Sequence, residues 1–292
     1  MKRLLLKIWR LLPFKIRSDF HDFVRKITYR RKFGNYAKTV DLDNIPIFKS
    51  VEIETVNRCN GKCNFCPVNV NEKQRDYAKM TEDLYLKIIE DLKNINYNGH
   101  LALFSNNEPF LDSRIIEWNK IARENLPNAY IYLYTNGSLL TKEKVVDVMQ
   151  YMDELVIDNY DGGEEQEKLF GEIESWGKRN NKIITVFKRS TDEVLTSRGG
   201  QSPNKKRVRS LKGGCFYPFQ QLVIRPNGKV SLCCNDALGV YTMGDCNKQT
   251  LNEIWNSESY REVRRSLMKN GRVGLKLCDR CDTRNYIFES MQ

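Results

Sequence analysis

The sequence predicts an α/β fold: a parallel β-sheet, open or closed into a barrel, followed by a smaller C-terminal domain. Short β-rich runs alternate with helical stretches from residue 51 onward, which indicates parallel strands joined by right-handed crossovers. A turn-rich polar stretch near residue 200 then precedes a hairpin signal. With 292 residues and 40% hydrophobic content, the chain is large enough for one substantial core and a small appendage.

Composition and charge exclude several classes of protein. The longest purely apolar runs have four or five residues, whereas a transmembrane helix needs roughly 20. The formal net charge is +11, and eleven Lys and Arg residues against two Asp residues give +9 of it before residue 33. Lys7 and Arg10 interrupt any apolar core of a signal peptide, so the nine cysteines are expected in the reducing cytoplasm. Clustered cysteines there more often hold metal than form disulfides.

Three segments are expected along the chain. Residues 1–45 form a basic amphipathic helical lead, residues 46–200 form the barrel, and residues 201–292 form the C-terminal domain. The polar run at 197–207 is predicted to be a linker between the last two.

The basic lead is predicted to contain two helices. Pro13 stops the first helix, whose apolar face comprises Leu5, Ile8, Trp9 and Leu12. The second helix is indicated by Phe20, Phe23, Val24 and Ile27. The lead either rests on anionic lipid through residues 1–32 or packs on the barrel as a collar with solvated charges.

Five strands and three capped helices are predicted in the barrel segment. The strands span 51–56, 101–104, 130–134, 154–158 and 183–187. Thr81, Ser113 and Thr141 are the expected N-caps of the helices. The functional edge of such a sheet is the one formed by the carboxyl ends of its strands.

The C-terminal segment carries clear turn and cap signals. The Pro-Asn-Gly run at 226–228 predicts a hairpin between two short strands. Thr250 and Glu253 make a capping box, and Ser257 begins a last helix that ends near Gly271.

Three closely spaced cysteines follow the first predicted strand: Cys59, Cys63 and Cys66. Three thiolates within eight residues can grip one face of a cuboidal iron–sulfur cluster and leave one iron without a protein ligand. A structural zinc ion would need a fourth ligand, which His100 or a cysteine of the C-terminal domain would have to supply.

The Cys59-x3-Cys63-x2-Cys66 spacing, with the aromatic Phe65 before the last cysteine, resembles the signature of the radical S-adenosylmethionine enzymes. The resemblance implies a partial (β/α)6-type barrel with a [4Fe-4S] cluster on these cysteines. It also implies that the open iron binds S-adenosylmethionine (AdoMet), whose reductive cleavage gives methionine and a 5′-deoxyadenosyl radical. That radical abstracts a hydrogen atom from substrate, so the cofactor carries the hard chemistry and the protein supplies orientation.

Glu108 is the strongest non-cysteine candidate. Together with Pro109 it follows the second strand, where the family carries a Gly-Gly-Glu-type motif that receives the methionyl amino group. Asn107 stands in place of the usual glycine, and Asn tolerates unusual φ angles better than most residues. The alternative is a solvated loop acid.

Three more residues are expected on the cofactor rim by the same resemblance. Asn136 and Asp158 end the third and fourth strands, and Phe65 offers its backbone to the adenine edge. Asn136 and Asp158 would look the same as caps or turn residues, and Phe65 would look the same as a core aromatic.

A second site is expected from four later cysteines. Cys215 and Cys233 flank the hairpin, which returns its second strand beside its first, and Cys278-x2-Cys281 follows the last helix. Together they make a four-thiolate site, which by geometry fits either zinc or an iron–sulfur cluster.

The spacing of these cysteines around Gly228 is similar to the SPASM/twitch extensions of radical AdoMet enzymes. The further cysteines of the full SPASM pattern are missing after Cys281, so the resemblance implies a twitch-like domain with one auxiliary [4Fe-4S] cluster. Adjacent strand residues point to opposite sides, so Cys233 rather than Cys234 is the expected ligand. Cys246 is expected to be buried structure.

An auxiliary cluster indicates substrate oxidation, because it can accept the electron of a substrate radical. A Lys, Asp, Glu or Tyr near the strand ends would act as base, since the chain has two histidines. Related enzymes oxidise a sugar or aminocyclitol alcohol, or modify peptides. Only about 45 residues precede the cluster strand, too few for the added peptide-recognition domain that peptide modifiers often carry.

A radical AdoMet oxidoreductase acting on a carbohydrate-like or other small molecule, or on a glycan, is therefore expected. The alternatives are a peptide or protein maturase, a redox-neutral epimerase with a structural second metal site, and a zinc-stabilised interaction protein. Expected partners are a flavodoxin or ferredoxin as electron donor and a membrane surface at the basic lead. No nucleic-acid partner is expected, because the charge is accompanied by no binding motif.

Overall fold

The computed structural model describes residues 14–70, 74–160, 162–206, 208 and 210–284. The first predicted helix, with Leu5, Ile8, Trp9 and Leu12, lies outside the described residues. No helix in the described ranges is long and apolar enough to cross a membrane.

A single eight-stranded sheet runs through the whole molecule in the order β5-β4-β3-β2-β1-β6-β7-β8. Its strands are β1 Ser50–Ile53, β2 His100–Ala102, β3 Tyr130–Thr135, β4 Glu154–Tyr160, β5 Ile183–Arg189, β6 Gln221–Ile224, β7 Lys229–Ser231 and β8 Gly244–Asp245. All five predicted barrel strands and both hairpin strands are present, and β8 was not predicted.

The α/β fold class is confirmed, and the sheet shows where the sixth parallel strand comes from. Strands β1 to β5 pair in chain order and are parallel. Strand β6, from the C-terminal segment, pairs in parallel with the other edge of β1. It satisfies backbone groups of β1 that an edge strand would leave unpaired. The antiparallel strands β7 and β8 extend the sheet beyond it.

Eight α-helices are described. They are α1 Phe14–Thr39, α2 Pro67–Val70, α3 Glu82–Asn94, α4 Ile115–Asn125, α5 Lys142–Val148, α6 Gly163–Arg179, α7 Leu251–Trp255 and α8 Glu258–Asn270. The expected caps at Thr81 and Thr141 are present, as are the capping box of α7 and the Ser257 cap of α8, which ends at Gly271.

The expected cap at Ser113 is wrong. Helix α4 has Arg114 at its N-cap position, with helical backbone and no side-chain cap. The Asp112 carboxylate instead accepts from the Arg114 backbone N–H at 3.1 Å and pairs with its guanidinium at 2.7 Å. The buried acid thus takes the role expected of the serine.

Helix α1 contains the second predicted helix of the lead. Its inner face packs edge-on against aromatic rings of the C-terminal segment, with the Phe33 centroid 5.1 Å from Phe216 and 5.9 Å from Phe219. The helix is therefore a collar on the C-terminal part. Its predicted apolar residues lie exposed on the opposite side: Phe20, Phe23, Val24 and Ile27.

The polar run at 197–207 is packed over residues 197–202, whereas Pro203 and Lys206 are exposed. Ser197 is fully buried, its N–H donates to the Asp282 carboxylate at 2.6 Å, and its hydroxyl donates to the Arg280 carbonyl at 2.8 Å. Ser202 donates to the Phe65 carbonyl at 2.9 Å. The segment therefore holds the C-terminal turn against the first cysteine loop.

Candidate active site and second cysteine site

One pocket at the carboxyl ends of β1 to β4 collects all of the residues predicted for the first site. They are Cys59, Cys63, Phe65, Cys66, Glu108, Asn136 and Asp158. They come from the ends of four different strands, and parallel strands bring their carboxyl ends to one edge of the sheet.

The three cysteines of this pocket are partly buried thiols. Burial raises the pKa of Cys59 to about 12 and that of Cys63 to about 11. The Gly61 N–H donates to Cys59 Sγ at 3.3 Å. Thiolates here need a cationic partner, and the irons of a cluster are such a partner, so the donor set fits a [4Fe-4S] cluster.

The zinc alternative finds no support in the side-chain geometry. His100 is the first residue of β2 and so lies at the amino end of the strands, opposite the Cys59 loop. Within the described ranges, no three His, Cys, Asp or Glu side chains converge closely enough to hold one metal ion. A four-iron cluster needs no such convergence, because each of its thiolates binds a separate iron.

Glu108 is buried and joins the loops of the pocket. Its Oε1 accepts from the Thr135 hydroxyl at 2.7 Å and the Phe110 N–H at 3.1 Å, and its Oε2 accepts from the Asn136 N–H at 2.8 Å. Burial raises the pKa of this carboxyl. A carboxylate has about four acceptor sites, so one remains for a ligand ammonium.

Asn136 connects the end of β3 to the first cysteine loop. Its Nδ2 donates to Asn60 Oδ1 at 2.9 Å and lies 3.8 Å from Cys59 Sγ. Gly137, the next residue, has φ +73, which an L side chain rarely adopts. The Asn-Gly pair therefore makes a tight turn that reaches back to the cysteines.

Asp158 and Phe65 lie on the opposite rim. Asp158 Oδ1 is 3.6 Å from Arg189 Nη1 but accepts no hydrogen bond from the described residues, and burial raises the pKa of this carboxyl. The Phe65 ring packs on Tyr160 with centroids 6.0 Å apart. The Phe65 carbonyl accepts from Ser202, so one of its acceptor sites is already used.

Arg198, which was not predicted from the sequence, also lines the pocket. Its guanidinium donates to the Cys234 carbonyl at 3.0 Å and to the Asn106 side-chain oxygen. Arg198 thus connects the first pocket to the residue that follows Cys233. Nothing in its polar, linker-like surroundings pointed to this contact.

The second predicted site is also assembled. Cys215, Cys233, Cys278 and Cys281 are all buried. Burial raises the pKa of Cys233, and the neighbouring Cys234 thiol and those of Cys215, Cys278 and Cys281 raise it further. Four neighbouring buried thiols supply the donor set of an auxiliary [4Fe-4S] cluster, in which each thiolate binds a separate iron.

Arg272, which the sequence analysis missed, holds this site together. Its buried guanidinium donates to the carbonyls of Gly214 at 3.3 Å, Cys281 at 3.2 Å and Thr283 at 2.8 Å, and to the Tyr29 hydroxyl at 3.3 Å. Its charge lowers the pKa of Cys215 against the effect of burial. A fixed cation here offsets the negative charge of several thiolates.

The two remaining cysteines have other partners, although Cys234 directly follows Cys233 in the chain. Cys234 bonds to the Tyr217 hydroxyl through its thiol and lies near Glu52, on the barrel side. Cys246 is fully buried, and the charged residues that act on it are Lys87, Asp91 and Asp245.

A second cavity of about 470 Å³ lies against one face of the sheet, which we call the barrel face, over side chains of β1 to β4. It adjoins the first pocket, because Phe104 and Tyr134 line both. Its other lining residues are Glu52, His100, Tyr130, Tyr132 and Glu154. Carboxylates and phenols at this density fit a small ligand with several hydroxyl or amino groups.

Two family models match the chain. The model of the radical SAM superfamily matches residues 53–179, and the SPASM model, an iron–sulfur cluster-binding domain, matches residues 215–282. The first match contains the first three cysteines, and the second contains all four cysteines of the buried site.

The chain is similar to one curated enzyme and to two sets of solved structures. It is 24% identical over 237 residues to the S-adenosyl-L-methionine-dependent 2-deoxy-scyllo-inosamine dehydrogenase of Niallia circulans, covering 81% of this chain and 93% of that enzyme. The crystal structure of BtrN in complex with AdoMet and 2-DOIA superposes with a TM-score of 0.72 at 22% identity, covering 82% and 95% of the two chains. Native anSMEcpe with bound AdoMet gives a TM-score of 0.51 at 14% identity, covering 80% and 88%.

Proposed function

Because the chain is a radical AdoMet enzyme that ends in a SPASM-type iron–sulfur domain, we propose that it dehydrogenates a secondary alcohol of a carbohydrate-like small molecule. The observation that most supports an oxidation reaction is that the two cysteine sites are adjacent. Arg198 lines the first pocket and bonds to Cys234, the neighbour of Cys233. An electron that leaves a substrate bound next to this pocket therefore has a buried acceptor site nearby.

The residues of the first pocket have separate tasks in this proposal. Cys59, Cys63 and Cys66 hold one [4Fe-4S] cluster, and Glu108 binds the methionyl ammonium of AdoMet through its remaining acceptor site. Asn136, Asp158 and the Phe65 backbone position the nucleoside. When bound, the first cluster would supply the electron that cleaves AdoMet to a hydrogen-abstracting 5′-deoxyadenosyl radical, and the second cluster would accept the electron of the substrate.

The cavity on the barrel face is the proposed substrate site. It is lined by two carboxylates, three tyrosines and His100, and the described residues that line it include no Lys or Arg. Burial lowers the pKa of His100, so this side chain is neutral near pH 7. A neutral or amine-bearing polyol matches this lining, whereas a phosphorylated or carboxylated sugar would find no cation among these residues. The aminocyclitol of the curated relative belongs to the matching class.

The partners follow from the chemistry and from α1. A flavodoxin or ferredoxin in the cytoplasm is proposed to reduce the first cluster. The exposed apolar residues of α1, with the basic residues of 1–32, are proposed to contact an anionic membrane surface. A lipid-linked glycan would then be within reach of the site.

Metal content and product analysis test the assignment together. Anaerobically reconstituted protein should hold about eight irons, and a triple Cys59→Ala, Cys63→Ala, Cys66→Ala variant about four. The triple variant should lose all AdoMet cleavage. A Cys246→Ala variant, which removes a cysteine outside both sites, should keep about eight irons and is the matched control.

Substrate class is tested with 2-deoxy-scyllo-inosamine. Wild type should form 5′-deoxyadenosine and a ketone in a substrate-dependent manner. Isomerised substrate without net oxidation would favour the epimerase, and modification of a peptide instead would favour the maturase. About four irons, falling to none in the triple variant, together with bound zinc would overturn the auxiliary electron acceptor.

A further inference from the structure

Glu52 is a buried acid in the middle of β1 that the cofactor sites leave without a role. It is 7% exposed, and both of its carboxylate oxygens accept hydrogen bonds. The Ser105 hydroxyl donates to Oε2 at 2.7 Å, and Gln221 Nε2 donates to Oε1 at 2.8 Å. Because both donors are neutral, these contacts allow the carboxyl group to gain and lose a proton.

This carboxylate lies where the two cavities meet. Glu52 itself lines the cavity on the barrel face, whereas its partner Ser105 lines the cofactor pocket. The other carboxylate of the barrel cavity, Glu154, is the first residue of β4 and so lies at the amino end of the strands, away from the cysteine loop. Asp158 lies in the cofactor pocket but faces the Arg189 guanidinium. Glu52 is therefore the carboxylate at the junction.

A short hydrogen-bonded path leads from Glu52 to the second cysteine site. Gln221 donates to Glu52 through Nε2 and accepts from the Cys234 N–H through Oε1, at 3.1 Å. Cys234 follows Cys233 directly. The amide of Gln221 is thereby fixed in one orientation, and it fixes the carboxylate of Glu52 in turn.

We propose that Glu52 accepts the hydroxyl proton of the substrate during its oxidation, with Gln221 as a positioning residue. The inference rests on the proposed dehydrogenase function. After hydrogen abstraction from carbon, the O–H bond of the substrate radical breaks and its proton passes to the Glu52 carboxylate. The C=O double bond forms as the remaining electron leaves, and an auxiliary cluster held by Cys215, Cys233, Cys278 and Cys281 would accept that electron. Gln221 bonds both to Glu52 and to the backbone N–H beside Cys233, so the proposed proton acceptor is linked to the proposed electron acceptor.

The surroundings of Glu52 suit this role near neutral pH. Burial raises the pKa of Glu52 to about 7, and the Ser105 hydrogen bond and the Arg198 charge limit the rise, whereas Glu54 adds to it. The other titratable groups near it are Tyr132, Tyr217 and Cys234, whose pKa values are all raised and which are neutral at pH 7. A base works best when its pKa lies near the working pH.

The role of Glu52 is tested by comparing wild type with Glu52→Gln and Glu52→Asp. The substrates are AdoMet and 2-deoxy-scyllo-inosamine deuterated at the oxidised carbon. In Glu52→Gln, deuterium should still appear in 5′-deoxyadenosine while ketone formation falls about 100-fold or more. Glu52→Asp should recover part of the ketone. In wild type, the ketone yield per 5′-deoxyadenosine should rise from about pH 6 to about pH 8, because the carboxylate accepts a proton only when ionised.

Glu54→Gln is the matched control on the same strand. Glu54 is equally buried, but it pairs with Arg75 at 2.6 Å and lines neither cavity of the site. Its loss should lower thermal stability. At pH 8 and above, where Glu52 is mostly ionised with or without the Glu54 charge, the ratio of ketone to 5′-deoxyadenosine should stay unchanged.

Infrared difference spectra provide a readout without turnover. Burial raises the pKa of both Glu52 and Glu54 to about 7. Part of the protonated-carboxyl signal that titrates near pH 7 should therefore disappear in Glu52→Gln, whereas Glu54→Gln should remove the other part. Wild-type ketone yield in Glu52→Gln, or an unchanged signal in that variant, would overturn the role of Glu52 and leave the dehydrogenase standing. A wild type that forms no ketone would instead contradict the proposed function.

Discussion

At the scale of single residues, Glu108 is bound by three donors of the protein and keeps one acceptor site. The sequence resemblance singled it out for the methionyl ammonium. The structure adds that it also ties the turn at Asn136 to the pocket. One side chain is therefore placed to combine ligand binding with loop positioning.

Glu108→Gln should lower the affinity for AdoMet by about tenfold to a hundredfold, because a hydrogen bond to a charged group contributes about 1.5–3 kcal/mol. Equilibrium dialysis of the cluster-loaded protein measures this directly. Iron content should stay at the wild-type value. Glu117→Gln, an exposed acid on α4, is the matched control, and unchanged affinity in Glu108→Gln would contradict the assignment.

Some functional residues could be identified from their spacing in the sequence, and others could not. The first cysteine site was evident from its short Cys59-x3-Cys63-x2-Cys66 spacing, and the second from the hairpin between Cys215 and Cys233 and its resemblance to the SPASM/twitch extensions. Arg272, Arg198 and Glu52 had no such signal. Each acts through partners far away in sequence, such as Tyr29 for Arg272 at 3.3 Å, so only folding reveals their roles.

At the scale of elements, the turn after β3 holds Asn136 against the first cysteine loop. It depends on Gly137, whose φ is +73 and whose added Cβ would meet the Phe170 ring and lie 2.8 Å from Ile157 Cγ2. The short connection from strand to helix leaves no room for a larger residue. Glycine at position 137 is therefore required by backbone conformation as well as by packing.

Gly137→Ala should destabilise the protein by more than about 1 kcal/mol, because an L residue is strained at this φ. Calorimetry should show a lower Tm, by at least about 2 °C. Gly171→Ala is the matched control within helix α6, where an added Cβ meets nothing within 4 Å. It should raise stability by about 0.5–1 kcal/mol, and equal effects of the two changes would refute the argument.

Helix ends and strand bounds were mostly predictable at this scale, and two predictions failed for one reason. Ser113 did not cap α4 because the buried Asp112 carboxylate already bonds to the first turn. The run at 197–207 has the composition of a linker, yet Ser197 is fully buried against the C-terminal turn. Tertiary contacts overrode local preference in both places.

At the scale of the whole molecule, helix α1 shows one face to the C-terminal aromatic cluster and the other to solvent. Phe23 is 58% exposed, Val24 41% and Ile27 50%, at the spacing of one helical stripe. The chain also concentrates its positive charge before residue 33. Apolar area combined with positive charge is what attachment to an anionic membrane surface requires.

Wild type should float with vesicles that contain anionic phosphatidylglycerol and stay behind with neutral phosphatidylcholine vesicles. A triple Phe23→Ser, Val24→Ser, Ile27→Ser variant should bind the anionic vesicles about tenfold less, because it loses buried apolar area. High salt should weaken wild-type binding. The control is a triple Leu86→Ser, Val194→Ser, Val240→Ser variant, which changes apolar residues that are exposed outside α1. Equal flotation of the two triple variants would refute a membrane face on α1.

The strands and most helices could be predicted from the sequence, because local periodicity and caps are properties of the linear chain. The cofactor class and the seven candidate cysteines came from the resemblance of their spacing to that of radical AdoMet enzymes. Folding was needed to reveal that β6 pairs with β1, that Arg272 and Arg198 brace the cysteine sites, and that Glu52 lies between the two cavities. These contacts join residues up to 243 positions apart, such as Tyr29 and Arg272. Their energies depend on burial and geometry that arise when the sheet closes around its core.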